Sequence, residues 1–192
     1  MRKSPRARKD DQGLVIWITG LSGAGKSSIA RDLVRRLKSA GDAGVVLLDG
    51  DQVRGAVGDP GIGHDRASRL TNALRICRFA KLLADQDLKV VVATMSLFKE
   101  IHAWNRLHLH DYFEVYVKVE LDVLKARDAR GLYSHAARGD VGDVVGIHVP
   151  YDEPESPDLI VDNGEMVVTF DALAQQIQEA LRARAPKPAS NV

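Results

Sequence analysis

Residues 20–28 read Gly20, Leu21, Ser22, Gly23, Ala24, Gly25, Lys26, Ser27 and Ser28. Two glycines spaced in this way, followed by lysine and serine, suit the binding of a phosphate chain. The glycines let the backbone curl until successive N–H groups face phosphate oxygens. Lys26 adds a mobile positive charge for the β- and γ-phosphates, and the Ser27 hydroxyl is placed to ligate Mg²⁺. A helix that starts at Lys26 points its positive end at the same anion. A glycine-rich turn with an incidental lysine would share these letters, so the flanking elements decide. Residues 14–19 form a continuous apolar run, which fits a strand buried on both faces. Beyond the loop, Ile29, Leu33 and Leu37 recur every four residues with Arg31, Asp32, Arg35 and Arg36 between them, an amphipathic helix. Strand, glycine-rich loop and helix together make a nucleotide-binding P-loop.

Further candidates follow along the chain. Asp49, Gly50 and Asp51 close a second apolar run, which reads as another buried strand. Two carboxylates at a strand's carboxyl end fit a site beside a metal and an acceptor hydroxyl, whose proton Asp51 would orient or accept. The same tripeptide also occurs as a solvated turn. Arg54 follows three residues later, and Arg69, Asn72 and Arg75 share one side of a predicted helix. Arginines near a phosphate site suit bidentate recognition of an anion, although Arg75 equally suits a solvated helix face. His108 and His110 have a spacing seen in metal sites, but no carboxylate or cysteine set completes one, so they read as surface or packing residues. Cys77 is the only cysteine and falls on an apolar helix face, which predicts a buried thiol.

The elements that must position these residues alternate. Strands are predicted at 14–19, 44–49, 88–94, 113–120 and 158–162, and helices from Lys26 and at 66–86, 98–110, 121–129 and 169–184. The helix at 66–86 is expected to bury Leu70, Leu74, Cys77 and Leu82. Alternation without hairpin signals predicts an α/β fold of the P-loop NTPase type: a parallel sheet with helices on both faces and active residues at the strands' carboxyl ends. Residues 55–65 and 130–157 resist the pattern and read as loops. The second is long and carries Arg130 and Arg138, as expected of a mobile lid that closes over a site and excludes water. Residues 1–12, with Arg2, Lys3, Arg6, Arg8 and Lys9, and residues 185–192 read as disordered tails around a single domain at 13–184.

The chain has 192 residues, 45% hydrophobic and 28% charged, which suits a soluble domain with an ample core. Its net charge of +1 supplies no global field for nucleic acid or a membrane surface, and no apolar run is long enough to span a bilayer. No apolar signal segment precedes the first strand, so a cytoplasmic location is expected.

Taken together, several of these motifs resemble the adenylylsulfate kinase family. The resemblance rests on residues 20–28, on Asp49-Gly50-Asp51 with Arg54, on Arg127-Asp128 with Gly131-Leu132-Tyr133, and on Pro150-Tyr151 with Pro154 and Pro157-Asp158. It runs in order from about Trp17 to Asp162. It implies ATP- and Mg²⁺-dependent phosphorylation of a nucleotide's ribose 3′-hydroxyl. By the same resemblance, Gly20, Ser22, Gly23, Ala24, Gly25, Lys26, Ser27, Ser28 and Arg127 face ATP, while Ser27 and Asp51 face the metal. Asp49, Arg54, His64, Arg69 and Asn72 match acceptor positions, and Ser96 matches a serine described as a phosphorylated intermediate. Direct in-line transfer needs only positioning and charge stabilisation.

The departures fall on the acceptor side. Members of the family usually carry phenylalanine where this chain has His64 and Val144, and those two rings sandwich the acceptor's adenine. The lid's lysine pair is Ser134-His135 here. Stacking one base contributes about 1–3 kcal/mol, so a lost clamp points to a different acceptor. Met95-Ser96-Leu97-Phe98-Lys99 and the following Glu100-Ile101-His102-Ala103-Trp104-Asn105-Arg106 are similar to a branch associated with capsular polysaccharide, the cytidine diphosphoramidate kinases. Adenylylsulfate phosphorylation in sulfate assimilation is the second reading, and a non-catalytic nucleotide-binding regulator the third. The expected partner is a small nucleotide, with no nucleic acid or membrane, and a homodimer is left open.

Overall fold

The computed structural model describes residues 13–59, 61, 63–128, 131–165 and 168–184. Both predicted tails, with the five basic residues of the first, lie outside the described residues, as does Arg130. Strand β1 (Leu14–Thr19) is followed by α1 (Lys26–Ser39), β2 (Val45–Asp49), α2 (Gly50–Val57) and α3 (Arg66–Ala84). Then come β3 (Lys89–Ala93), α4 (Lys99–His108), β4 (Asp111–Lys118), α5 (Leu121–Arg127), α6 (Leu132–Ala137), β5 (Leu159–Asp162) and α7 (Phe170–Ala183). The five strands form one sheet in the order β2-β3-β1-β4-β5, and every pairing is parallel.

The alternation of side chains along β1 builds both layers. Ile16 and Ile18 join Ile29 and Leu33 of α1 and Leu173 and Ile177 of α7 on one face of the sheet. Val15 and Trp17 point to the other face and join Ile76, Cys77 and Ala80 of α3 with Phe98 and Ile101. With both faces covered, the central strand can be apolar at every position. The order of the strands also fixes where a ligand fits. The chain leaves β1 toward β2 and leaves β3 toward β4, so the connections diverge between these neighbours. A crevice opens at their carboxyl ends, where such sheets bind ligands.

Four expectations are corrected. First, the stretch at 55–65 is not wholly a loop, because α2 runs to Val57. Its start is set by Asp49, whose side chain accepts a hydrogen bond from Asp51 N at 3.1 Å. Second, the long connection holds α6, begun by the Asp128 carboxylate, which accepts from the backbone N of Tyr133 at 2.8 Å and of Ser134 at 3.2 Å. Third, α3 buries Asn72, Ala73, Ile76, Cys77 and Ala80, while Leu82 is 58% exposed. Fourth, β2 is an edge strand, so Val46, Leu47 and Leu48 are only partly buried.

Candidate active site

The loop between β1 and α1 forms the floor of the crevice. Gly25 caps α1 with φ 96°, and an added Cβ would lie 2.8 Å from both Asn163 Nδ2 and the Phe170 ring. Only glycine meets both demands without displacing a neighbour. The first turn of α1 carries no acidic residue, and its last turn carries Arg36 and Lys38. The positive end of this helix therefore faces the loop uncompensated, as an anion site requires. Lys26 Nζ curls back to donate to the Leu21 carbonyl at 2.7 Å, a contact that a phosphate oxygen can replace.

The second wall comes from β2 and β3. Asp49 is buried and spends its carboxylate capping α2, which leaves Asp51 exposed on the helix's first turn. Gly50 lets that turn press against β3: a Cβ there would meet Thr94 Oγ1 at 2.9 Å. The Thr94 hydroxyl in turn lies 3.0 Å from that of Ser96, which is 1% exposed. Ser96 is thus held inside the wall of the crevice.

Arg54, one turn beyond Asp51 on α2, donates to the Gly63 carbonyl at 3.2 Å and lies 3.4 Å from His64 Nδ1. Arg69 on α3 donates through Nε to the His64 carbonyl and through Nη2 to the Asp143 carbonyl at 2.9 Å. It thereby joins the loop that carries His64 to the long connection. Loss of water around the His64 ring, then the Arg54 and Arg69 charges, lower its pKa, with Asp143 and Asp51 opposing. Asn72 is buried, and its Oδ1 has no hydrogen-bond partner among the described residues, so an acceptor is available to a ligand donor. Across the crevice, the Tyr133 hydroxyl donates to the Ser22 carbonyl at 2.9 Å and ties α6 to the phosphate loop.

One cleft of about 570 Å³ unites these parts, and its wall includes Ser22, Gly23, Gly25, Lys26, Ser27 and Ser28 with Asp49, Asp51, Arg54, His64, Arg69, Asn72 and Ser96. That size is ordinary for a small-molecule site. Three residues expected at the site stand outside the wall: Gly20, Ala24 and Arg127. The Arg127 guanidinium donates to the carbonyls of Asn163 and Gly164, and Asn163 Nδ2 donates to Ala24 O at 3.0 Å. Arg127 therefore reaches the phosphate loop through a neighbour. Arg75 pairs with Asp59 at 2.7 Å, the surface option for that residue. His108 is exposed and stacks on Trp104, and no cluster of metal-binding type occurs among the described residues. Cys77 is buried, which pushes its thiol up to about 12.

The wall also contains Arg31, Thr94, Val145 and Phe170, which sequence reasoning did not single out. Arg31 lies four residues beyond Ser27 on α1, a spacing that places both on one helix face. Thr94 was signalled by its place directly after β3, whereas nothing in the local sequence marks Phe170. For Mg²⁺, the fit is good. The metal takes hard oxygen donors, mostly from phosphates and water with one or two protein groups, and Ser27 and Asp51 offer such oxygens within the cleft.

Fold and cleft together define a P-loop kinase of small molecules. The family model for adenylylsulphate kinase matches residues 12–162, and the chain belongs to that family. It is 39% identical over 149 residues to the cytidine diphosphoramidate kinase of Campylobacter jejuni subsp. jejuni, covering 78% of this chain and 85% of that one. It is 44% identical over 147 residues to an adenylyl-sulfate kinase of Chloroflexus aurantiacus, covering 77% and 78%. Among solved structures, the Mycobacterium tuberculosis APS kinase CysC in complex with AMPPNP and APS superposes with a TM-score of 0.82 at 34% identity, covering 90% of this chain and 99% of that one. The chain is an enzyme, a phosphotransferase acting on a nucleotide hydroxyl, and the regulator reading falls away.

Proposed function

We propose that this kinase transfers the γ-phosphoryl group of ATP to the ribose 3′-hydroxyl of cytidine diphosphoramidate, with Mg²⁺, in the cytoplasm, as a step in capsular polysaccharide modification. Lys26 and the backbone of the phosphate loop hold the transferred group, Ser27 and Asp51 hold the metal, and Asp51 orients the attacking hydroxyl. Arg54, Arg69 and Asn72 hold the acceptor. The metal neutralises charge on the phosphates when bound. The observation that carries the acceptor reading is the composition of the acceptor wall. It keeps two arginines but presents an imidazole at His64, and Val144 is an aliphatic side chain 3% exposed. A pair of stacking rings is absent from those two positions.

The second reading, phosphorylation of adenylylsulfate, is supported by the comparable identity to the adenylyl-sulfate kinase of Chloroflexus aurantiacus. The test is a panel assay: purified protein, ATP and Mg²⁺ with each acceptor in turn, reading ADP release and the position of the new phosphate. A homodimer is a separate proposal, tested by light scattering.

A further inference from the structure

His64 is pinned twice. Its carbonyl accepts from Arg69 Nε, and its Nδ1 faces Arg54 Nη1 at 3.4 Å. A guanidinium can only donate, so Nδ1 must be the accepting nitrogen and the ring proton must sit on Nε2. Around the ring stand Arg54 and Asp51 from α2, Arg69 from α3 and Asp143 from the long connection; water loss and the two arginines outweigh the two carboxylates and lower its pKa, which favours the uncharged ring. The acceptor side thus offers two permanent cations and, between them, one uncharged donor.

These parts divide the labour of recognition. An ionised group on the acceptor is best served by the arginines. A neutral N–H donor suits an uncharged acceptor atom, such as a carbonyl oxygen or ring nitrogen on the edge of a base. Val144 is an aliphatic side chain with little exposed surface, so it offers no second ring to sandwich the base. Asp51 and Arg54 lie one helical turn apart on α2, which lets a single nucleotide reach from the reacting hydroxyl to His64.

We propose that His64 determines acceptor specificity by donating a hydrogen bond from Nε2–H to the edge of the acceptor's nucleobase, with Arg54 holding the ring in that tautomer. The inference rests on the nucleotide-kinase reading and adds how that site reads its base. Protonation places a second N–H on Nδ1, directly facing the Arg54 donor, and adds a third positive charge. Recognition is then lost in acid.

The experiment uses the full chain with ATP, Mg²⁺ and either cytidine diphosphoramidate or adenylylsulfate. Acceptor KM and kcat are measured for wild type, His64→Gln and His64→Ala from about pH 8 to about pH 5.5, across the ordinary imidazole range. Thermal unfolding verifies that each variant is folded. The wild-type acceptor KM is expected to be flat at the alkaline end and to rise as pH falls through the lowered imidazole pKa. His64→Gln retains an N–H donor, so its KM stays near the wild-type value and loses the acid rise. His64→Ala raises the acceptor KM about tenfold, with a smaller change in kcat. An acid rise that persists in His64→Gln, or a His64→Ala variant with wild-type KM, overturns the role of His64 while leaving the kinase reading intact. A wild type that phosphorylates neither nucleotide overturns the acceptor reading and this inference with it.

Discussion

Lys26 and Asp51 reach the cleft from different elements, and their contributions separate in kinetics. Replacing Lys26 with alanine removes the mobile charge at the phosphates, so phosphoryl transfer is expected to fall to background. The fold does not depend on that charge, and the thermal midpoint should match wild type; unchanged turnover would exclude the phosphate role. Asp51→Asn is expected to lower kcat far more than it raises KM for ATP, because its proposed work is done in the transition state. Helix α2 should survive, since Asp49 caps it through the Asp51 backbone N–H. A variant that loses only ATP affinity would instead assign Asp51 to ground-state binding. Both residues were legible because the motif is local: spacing alone places Lys26 at a helix start and Asp51 after a strand. Arg127 was not, because its contacts reach Asn163 and Gly164 across 36 and 37 positions of chain. Arg69 was legible as an arginine near an anion, but its bridge to Asp143 was not.

Helix α4 is where an element does the positioning. Its N-terminus receives the far end of the long connection: Asp152 N donates to the Leu97 carbonyl at 2.9 Å, and Asp152 Oδ2 accepts from Lys99 N at 3.1 Å. Its later turns hold Glu114 of β4, a carboxylate 2% exposed that accepts from the Tyr112 hydroxyl at 2.7 Å and pairs with His102 and Arg106. Arg106 also reaches Asp158 at 2.9 Å, just before β5. Burial pushes the Glu114 carboxyl up, but hydrogen bonds from His102 and Tyr112 and the charges of His102 and Arg106 outweigh it and hold the pKa low. A pKa lowered in the folded state gives stability that is present above the unfolded value and lost as pH falls through the folded one. Glu114→Ala is expected to lower stability by about 1–3 kcal/mol in urea unfolding, because the buried Tyr112 hydroxyl loses its acceptor. It should also flatten the acid limb of stability against pH; an unaltered limb would show that the network contributes nothing to folding. The elements that escaped the sequence share a cause. Helix α2 contains two glycines and buries only Val53, and α6 has six residues, so neither displays an apolar stripe. In α3 the core face is made of small residues, Ala73, Cys77 and Ala80 around Ile76, so counting leucines pointed to Leu82, which faces solvent. The strands, each with its own apolar run, were found to within a few residues.

At the scale of the whole molecule, divergence of the chain beside β1 brings three strand ends to one crevice. The phosphate loop forms one end of the cleft and the arginine pair the other, with α6 tied across the top by Tyr133. This two-ended cleft separates the substrates in a way mutation can read. Arg54→Ala should raise the acceptor KM strongly with a much smaller effect on KM for ATP; an equal effect on both would mean that Arg54 serves the cleft as a whole. Restoring two rings, His64→Phe with Val144→Phe, should shift preference toward adenylylsulfate by about 1–3 kcal/mol in kcat/KM. Val144 belongs to the same buried core cluster as Tyr133 and Val149, so the single His64→Phe variant is the control for overpacking. The acceptor wall is proposed to suit a cytidine nucleotide, and the direct measurement is kcat/KM of the unmodified enzyme for cytidine diphosphoramidate and for adenylylsulfate under one set of conditions. A clear preference for the cytidine nucleotide is predicted; a value for adenylylsulfate that matches or exceeds it would contradict the claim and make this chain an adenylylsulfate kinase in activity as well as in family.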